Sequence, residues 1–328
     1  MSLKKIAEMT NVSISTVSRV LNNKGYNCAS DGIKEKIWAA AREIHYIPNE
    51  NARNLKKGNA KKEHKQRKKF AVVLGRFDSL KIDPFFEELY RSVEQEVFAQ
   101  GCIIDCFFTA NELMGKEVPD ENGYILLGRS SDKLLMKIKE KSRNIVAIDR
   151  NPTLFEIDEI VCDGRKAAEK AIDYLIGKGH TKIGYIGDCS YEARYVGYCN
   201  ILIKNRIPIN YSYIFPTLQT KDTGYAAMKK LLEHQDIEAV LCANDITAIG
   251  ALHAYGEFKK NNNRKVDIIS IDNIEEAEKV TPLLTTIQVP GKDMGKMAVK
   301  ILLDRITKGH SENIRVEFPT KLIRRESC

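Results

Sequence analysis

Leu3, Ile6 and Ala7 recur at spacings i, i+3 and i+4, which predicts a short helix ending near Met9. Thr10, Asn11 and Val12 interrupt that pattern, and Ser13 is placed to N-cap a second helix through about Leu21. Val17, Val20 and Leu21 can turn inward on this helix with Val12, leaving Ile14, Ser15, Ser18 and Arg19 on its outer face. A third helix is predicted over about 32–44, with Ile33, Ile37, Ala41 and Ile44 on one stripe. Pro48 stops it, and Asn49 can cap one or two further turns. That last piece is too short to hold alone, since isolated helices below ~12 residues are marginal in water. It should order only against a partner.

From Phe70 onward the period changes. Nearly continuous apolar runs at 70–74, 102–108, 123–127, 144–148, 182–186, 238–242 and 266–271 read as strands. Amphipathic stretches at 85–100, 163–178, 191–205, 222–234, 244–259 and 291–307 lie between them. Strands apolar on both faces, alternating with helices, imply parallel sheets covered on both sides. Ligands of such folds bind beyond the carboxyl ends of the strands. Those positions hold Asp149, Asp188, Asn244, Asp245, Asp272 and Asn273, and Arg194 opens the helix after the 182–186 strand. Carboxylates beside a guanidinium suit a ligand rich in hydroxyls, since each carboxylate accepts two O–H donors and arginine donates in a planar fork. An Asp after a strand serves equally as a helix cap, and Asp245 is read as one.

Charge sharpens the division. The chain has 328 residues and a net charge of +8. Residues 1–69 hold sixteen Lys and Arg against six acids, a surplus of ten, so the remainder nets −2. A generally basic surface would spread that charge; a nucleic-acid-binding head on a neutral body segregates it. Residues 56–69 carry eight basic groups and one acid, and read as a flexible tether attracted to phosphates.

Several classes are excluded. No run of ~18 uncharged apolar residues would span a membrane, and the first residues lack a secretory signal, so a cytoplasmic location is expected. The eight cysteines form no C-x-x-C and read as reduced, mostly buried thiols. The six histidines show no paired-ligand spacing, so neither metal nor cofactor is expected. GKGHTKIG (177–184) lies between a helix and a strand, the reverse of a phosphate loop, and reads as a glycine C-cap. No nucleophile, kinase or dinucleotide motif occurs, so no enzyme is expected.

NVSISTVSRVLNN (11–23) followed by HYIPNENARNL (45–55) resembles the lactose/galactose repressor family of bacterial transcription regulators. The resemblance implies an all-α helix-turn-helix head and an α/β body of two periplasmic-binding-protein-like, parallel-sheet subdomains. It divides the chain into a head at 1–47, a hinge helix at 48–56 and a basic linker at 57–69. An N-terminal effector subdomain would take 70–160 and 287–316, and a C-terminal one 161–286 and 317–328. Ile14, Ser15 and Arg19 match base-reading positions, and Leu55 matches a hinge leucine that wedges into the minor groove. Ser2, Ser13, Thr16, Ser18, Asn22, Asn49, Ala52 and Arg53 complete the implied DNA contacts.

In the body, Asp149, Arg194, Asn244 and Asp272 match effector-contacting positions, and Asp83, Phe85 and Phe86 match the first pocket loop. Gln219 stands where disaccharide-binding members often place a tryptophan, which leaves stacking on a sugar to Phe85, Phe86, Tyr191 or Tyr195. The implied protein is a homodimer on a pseudo-palindromic operator, repressing a sugar-utilisation operon until a small sugar releases it; overall resemblance favours a galactoside. A co-repressed regulator answering to a non-sugar metabolite such as a purine is the alternative. LIRRESC at the end carries no leucine-heptad extension, so a dimer is expected over a tetramer.

Overall fold

The computed structural model describes residues 3–21, 29–44, 46, 67–75, 78–80, 83–149, 157–190, 192–234 and 236–328. The expected hinge helix and most of the basic tether lie outside these residues.

The head forms α1 (Leu3–Thr10), α2 (Ile14–Leu21) and α3 (Asp31–Glu43). Asn11 adopts φ 53°, a left-handed conformation that asparagine tolerates, and the Val12 amide then donates to the Ala7 carbonyl at 3.1 Å. This closes the turn that Thr10-Asn11-Val12 announces. Ser13 Oγ accepts from the Thr16 amide at 3.2 Å, the expected cap of α2. Ile6, Val17, Val20, Leu21, Ile37 and Ala41 close one core. Ile33 is a correction: it is 37% exposed, off the buried stripe, and Trp38 and Ala40 supply the apolar surface instead.

The body contains two six-stranded sheets. The first uses β1 (Lys69–Leu74), β2 (Ile103–Thr109), β3 (Gly123–Leu127), β4 (Ile145–Asp149), β5 (Asp158–Val161) and β11 (Arg315–Glu317), in the order β11-β5-β4-β3-β1-β2. The second uses β6 (Ile183–Gly187), β7 (Ile214–Pro216), β8 (Ala239–Cys242), β9 (Asp267–Asp272), β10 (Thr285–Gln288) and β12 (Lys321–Ile323), in the order β12-β10-β9-β8-β6-β7. Every pairing is parallel except β10 with β12. The helices are α4 (Pro84–Ala99), α5 (Ala110–Met114), α6 (Asp132–Lys139), α7 (Gly164–Gly177), α8 (Ala193–Lys204), α9 (Lys221–Leu231), α10 (Asp245–Lys259) and α11 (Gly291–Ile306).

Strand alternation explains the layering. Phe70, Val72 and Leu74 of β1 face the core under α4, while Ala71 and Val73 face a second core with Leu113, Leu134 and Ile138 of α5 and α6. The α7 helix ends as a glycine-capped turn: Gly179 takes φ 95°, and its amide donates to Ile176 at 2.8 Å. The seven described cysteines are all free. No helix among the described residues is long and apolar enough to cross a membrane.

One polar cluster ties the end of α11 to the first sheet. Arg305 donates from Nη2 to Asp158 Oδ1 at 2.7 Å, and its Nε reaches the other carboxylate oxygen. His310 sets Nδ1 against Asp304 at 2.7 Å and Nε2 against Asp158 at 3.1 Å. A neutral imidazole donates from one nitrogen, whereas the cation serves both carboxylates. Burial pulls the His310 pKa down, but the two carboxylates outweigh it and the net shift is upward. A raised folded pKa gives stability that is full below the ordinary histidine value and lost as pH rises through the folded one. Wild type should therefore lose up to about 1 kcal/mol more than His310→Gln between pH 6 and 8; urea unfolding at both pH values checks it.

Candidate functional sites: the reading face and the cleft

The outer face of α2 is open. Ile14 is 48% exposed, Ser13, Ser15 and Arg19 are exposed, and Thr16 and Ser18 are half-buried. Ser13 Oγ also pairs with the hydroxyls of Ser15 and Thr16, both at 2.9 Å. Val17, Val20 and Leu21 hold the opposite face in the core, which fixes the outer side chains as a set. Ser2, Asn22, Asn49, Ala52, Arg53 and Leu55 lie outside the described residues.

Trp38 does more than pack the head. Its ring meets Phe98 of α4 edge-on, with centroids 5.1 Å apart and planes at 80°, and Tyr46 approaches the same ring at 6.4 Å. The head thus rests on the first subdomain through α3 while α2 stays free. Trp38 is the sole tryptophan, so Phe98→Ala should shift its emission to longer wavelength as water reaches the indole. An unchanged spectrum would show that the contact is absent in solution.

The cleft is built at the carboxyl ends of the strands. Arg194, in the first turn of α8, is 1% exposed and held on three sides. Its Nε donates to Glu192 Oε1 at 2.9 Å, Nη1 to the Ala243 carbonyl at 2.6 Å and Nη2 to Gln219 Oε1 at 3.1 Å. Burial opposes the Arg194 charge, but Glu192 and Asp272 favour it, and the net shift is upward. The guanidinium stays ionised. Gln219 is 2% exposed with φ 59°, just before the Thr220 cap of α9. Its Nε2 is buried and has no hydrogen-bond partner among the described residues.

Asp83 and Asn244 cap two helices from opposite subdomains. Asp83 Oδ1 accepts from the Phe85 amide at 3.0 Å at the start of α4. Asn244 Oδ1 accepts from the Thr247 amide at 3.1 Å at the start of α10. The two caps also meet, with Asn244 Nδ2 donating to Asp83 Oδ2 at 3.5 Å. Arg129 Nη1 makes a second link, to the Ser190 carbonyl at 3.4 Å. Asp272 ends β9 and is buried at φ 136°, an unusual value for a residue with a Cβ. Asp149 ends β4 and is half-buried. Asp188 is a turn residue that accepts from the Ser190 amide at 2.8 Å.

Three expectations need revision. Asp245 is not a cap, a role Asn244 takes; it lies fully buried, accepting from Ser270 Oγ, from Thr286 Oγ1 at 2.6 Å and from the Ile274 amide at 2.8 Å. Burial pushes its carboxyl up to about 6 despite those donors. Phe85 and Phe86 are core residues, stacked edge-on at 5.4 Å, with Phe86 filling the space above Gly128. Tyr195 spends its ring on Tyr185 at 5.4 Å and Tyr198 at 6.4 Å. Tyr191 lies outside the described residues.

Sequence reading missed Glu192 and Arg129. An acid just before a helix looks like an ordinary cap, and only the fold shows Glu192 turned onto buried Arg194. Elsewhere, Asp105, Cys106 and Glu121 bring three potential metal ligands within 4.8 Å. Lys69 already meets Asp105 there at 2.9 Å and supplies the counter-charge.

Comparison with known proteins agrees with both halves. Residues 2–49 match the model of bacterial regulatory proteins of the lacI family, and 172–328 match a periplasmic binding protein-like domain. An HTH-type transcriptional repressor PurR from Erwinia tasmaniensis is 28% identical over 341 residues, 99% of this chain and 96% of that protein. The transcriptional regulator CelR in complex with cellobiose covers all of both chains at TM-score 0.69 and 23% identity. A LacI family regulator from Enterococcus faecium with bound ribose covers 79% of this chain and 98% of its own, at TM-score 0.69 and 25% identity. These relatives are named as transcriptional regulators. The helix-turn-helix head, residues 2–49, is that of the lacI family of bacterial regulatory proteins, and two parallel-sheet subdomains that meet at a polar cleft carry it.

Proposed function

We propose that the protein is a dimeric, sequence-specific repressor of a sugar-utilisation operon, released from its operator by a small sugar bound in the cleft. The observation that carries this reading is the meeting of Asp83 and Asn244 between the subdomains, beside buried Arg194 and a Gln219 whose Nε2 has no partner among the described residues. Each is a hydrogen-bonding group held at the junction of two bodies that can change their angle.

In this reading two α2 helices enter successive major grooves, and Ser13, Ile14, Ser15, Thr16, Ser18 and Arg19 face the DNA. Ser2 and Asn22 flank that surface. The hinge at 48–56 pairs with its twin, Asn49, Ala52 and Arg53 line the minor groove, and Leu55 wedges into it. The linker at 57–69 adds phosphate attraction. Asp83, Asp149, Gln219, Asn244 and Asp272 contact the ligand, with Arg194 as their fixed centre and Tyr191 at the rim. Phe85 and Phe86 shape the wall from behind. The site is cytoplasmic.

For release to follow, the ligand must favour the low-affinity arrangement by its own differential binding, about 3 kcal/mol for a hundredfold effect. The ribose-bound relative supports a sugar. The full-length likeness to repressors named PurR favours a second reading, a co-repressor that strengthens DNA binding. Titrating sugars and purines against the DNA-bound protein separates the two. A sugar that lowers operator affinity supports the first; a purine that raises it replaces it with the second.

A further inference from the structure

The third helix of the head presents two faces. Ile37, Ala40 and Ile44 close the head core with α1 and α2, while Trp38 and Ala41, three residues apart, turn to the first subdomain. There Phe98, in the last turn of α4, packs against the head's apolar cluster, whereas its neighbour Val97 belongs to the core of the body. The Trp38 and Phe98 rings meet edge-on with centroids 5.1 Å apart, and Tyr46 approaches the same ring at 6.4 Å. Edge-to-face contact selects an orientation as well as a distance. A cavity of ≈ 470 Å³ lined by Ala41, Val97 and Cys102 lies beside the rings, so the contact is narrow and can open.

The covalent connection is long by comparison. Twenty residues, 47–66, separate Tyr46 from Arg67. A chain of that length without other restraint spans about 25 Å from end to end. One base pair of duplex advances about 3.4 Å and turns about 35°. A head held only through such a chain accepts many positions along a duplex, whereas a head seated on Phe98 offers α2 in one. The reading face stays outward in that seat, with Ile14 48% exposed.

We propose that Phe98 is a positioning residue that seats the head on its own body through Trp38 and so sets the half-site spacing the protein accepts. The inference rests on the dimeric, sequence-specific reading given above. The duplex enriched from a random pool by full-length wild type is remade with its half-sites one and two base pairs closer and farther apart. Each duplex is titrated with wild type, Phe98→Ala and Phe98→Leu. In wild type a displacement of one base pair should weaken binding at least about tenfold, and Phe98→Ala should reduce that ratio about three- to tenfold. Phe98→Leu, which keeps apolar volume without the ring, should fall between them. A merely structural loss weakens every spacing alike and leaves the ratio unchanged, which overturns the proposal; so does a wild type indifferent to spacing. Both results leave the repressor reading standing.

Trp38 gives a second reading, without DNA. Its fluorescence anisotropy should decay with the whole molecule in wild type and gain a nanosecond component in Phe98→Ala. That component already present in wild type overturns the seat. A pool that enriches no duplex overturns the sequence-specific reading, and this inference with it. Leu89, Val93 and Val97 hold α4 to the body without Phe98. Should the variants nevertheless fold poorly, the wild-type spacing ratio and anisotropy decide.

Discussion

Arg194→Ala should lower the unfolding free energy by about 3–5 kcal/mol, the cost of stranding one partner of a buried ion pair. The geometry makes the loss threefold. Glu192 would keep a buried charge without its cation, the Ala243 carbonyl would lose a donor at 2.6 Å, and Gln219 Oε1 would lose one at 3.1 Å. Urea unfolding measures it through the shift in midpoint at constant slope. The pair Arg194→Met and Glu192→Gln, which removes both charges and keeps volume, should recover more than half of the loss. A loss below about 1 kcal/mol for Arg194→Ala would mean that the cluster is solvated in solution. Alanine at 194 is therefore a blunt probe of ligand response. Asp272→Asn and Gln219→Ala interrogate the cleft with less damage to the frame.

Arg19→Ala should produce the second large effect, on DNA. A good arginine contact to a base edge is worth about 1–3 kcal/mol of discrimination. Two heads acting on one operator would lose about 2–6 kcal/mol together, and specificity should relax at one base pair in each half-site. Non-specific binding, which depends on phosphate neutralisation, should weaken far less. Equal losses on operator and random duplex would make Arg19 a phosphate contact and leave reading to Ile14 and Ser15. Because Arg19 is exposed on a helix held from behind by Val17, Val20 and Leu21, folding should survive the change.

Much of the architecture was legible because it rests on period and punctuation. Ser13 announced the start of α2, and the apolar runs from Phe70 announced β1, β2, β3, β4, β6, β8 and β9. What escaped was short or polar. β5 begins with Asp158, buried only because Arg305 and His310 reach it from a distant stretch of chain. β7, β11 and β12 have three residues each, too few for alternation to show. Asp149 and Asp272 were singled out by the rule that strand ends carry ligands, and both do end strands. Glu192 was not, because its partner choice depends on α8 turning Arg194 inward. Phe85, Phe86 and Tyr195 pack in the core for a related reason: a ring near a pocket in sequence is more often spent on packing. Head-to-body contact through Trp38 and Phe98 was invisible, since no local pattern relates α3 to α4.

The central claim is that α2 reads a duplex while the cleft controls how well it does so. Selection of bound duplexes from a randomised pool, with full-length protein and each sugar and purine added in turn, tests it most directly. The account predicts a pseudo-palindrome whose half-sites lie about one helical turn apart, and its loss from the bound fraction when the effector is present. A bound pool that stays random, or an enriched site that no ligand weakens or strengthens, would contradict it.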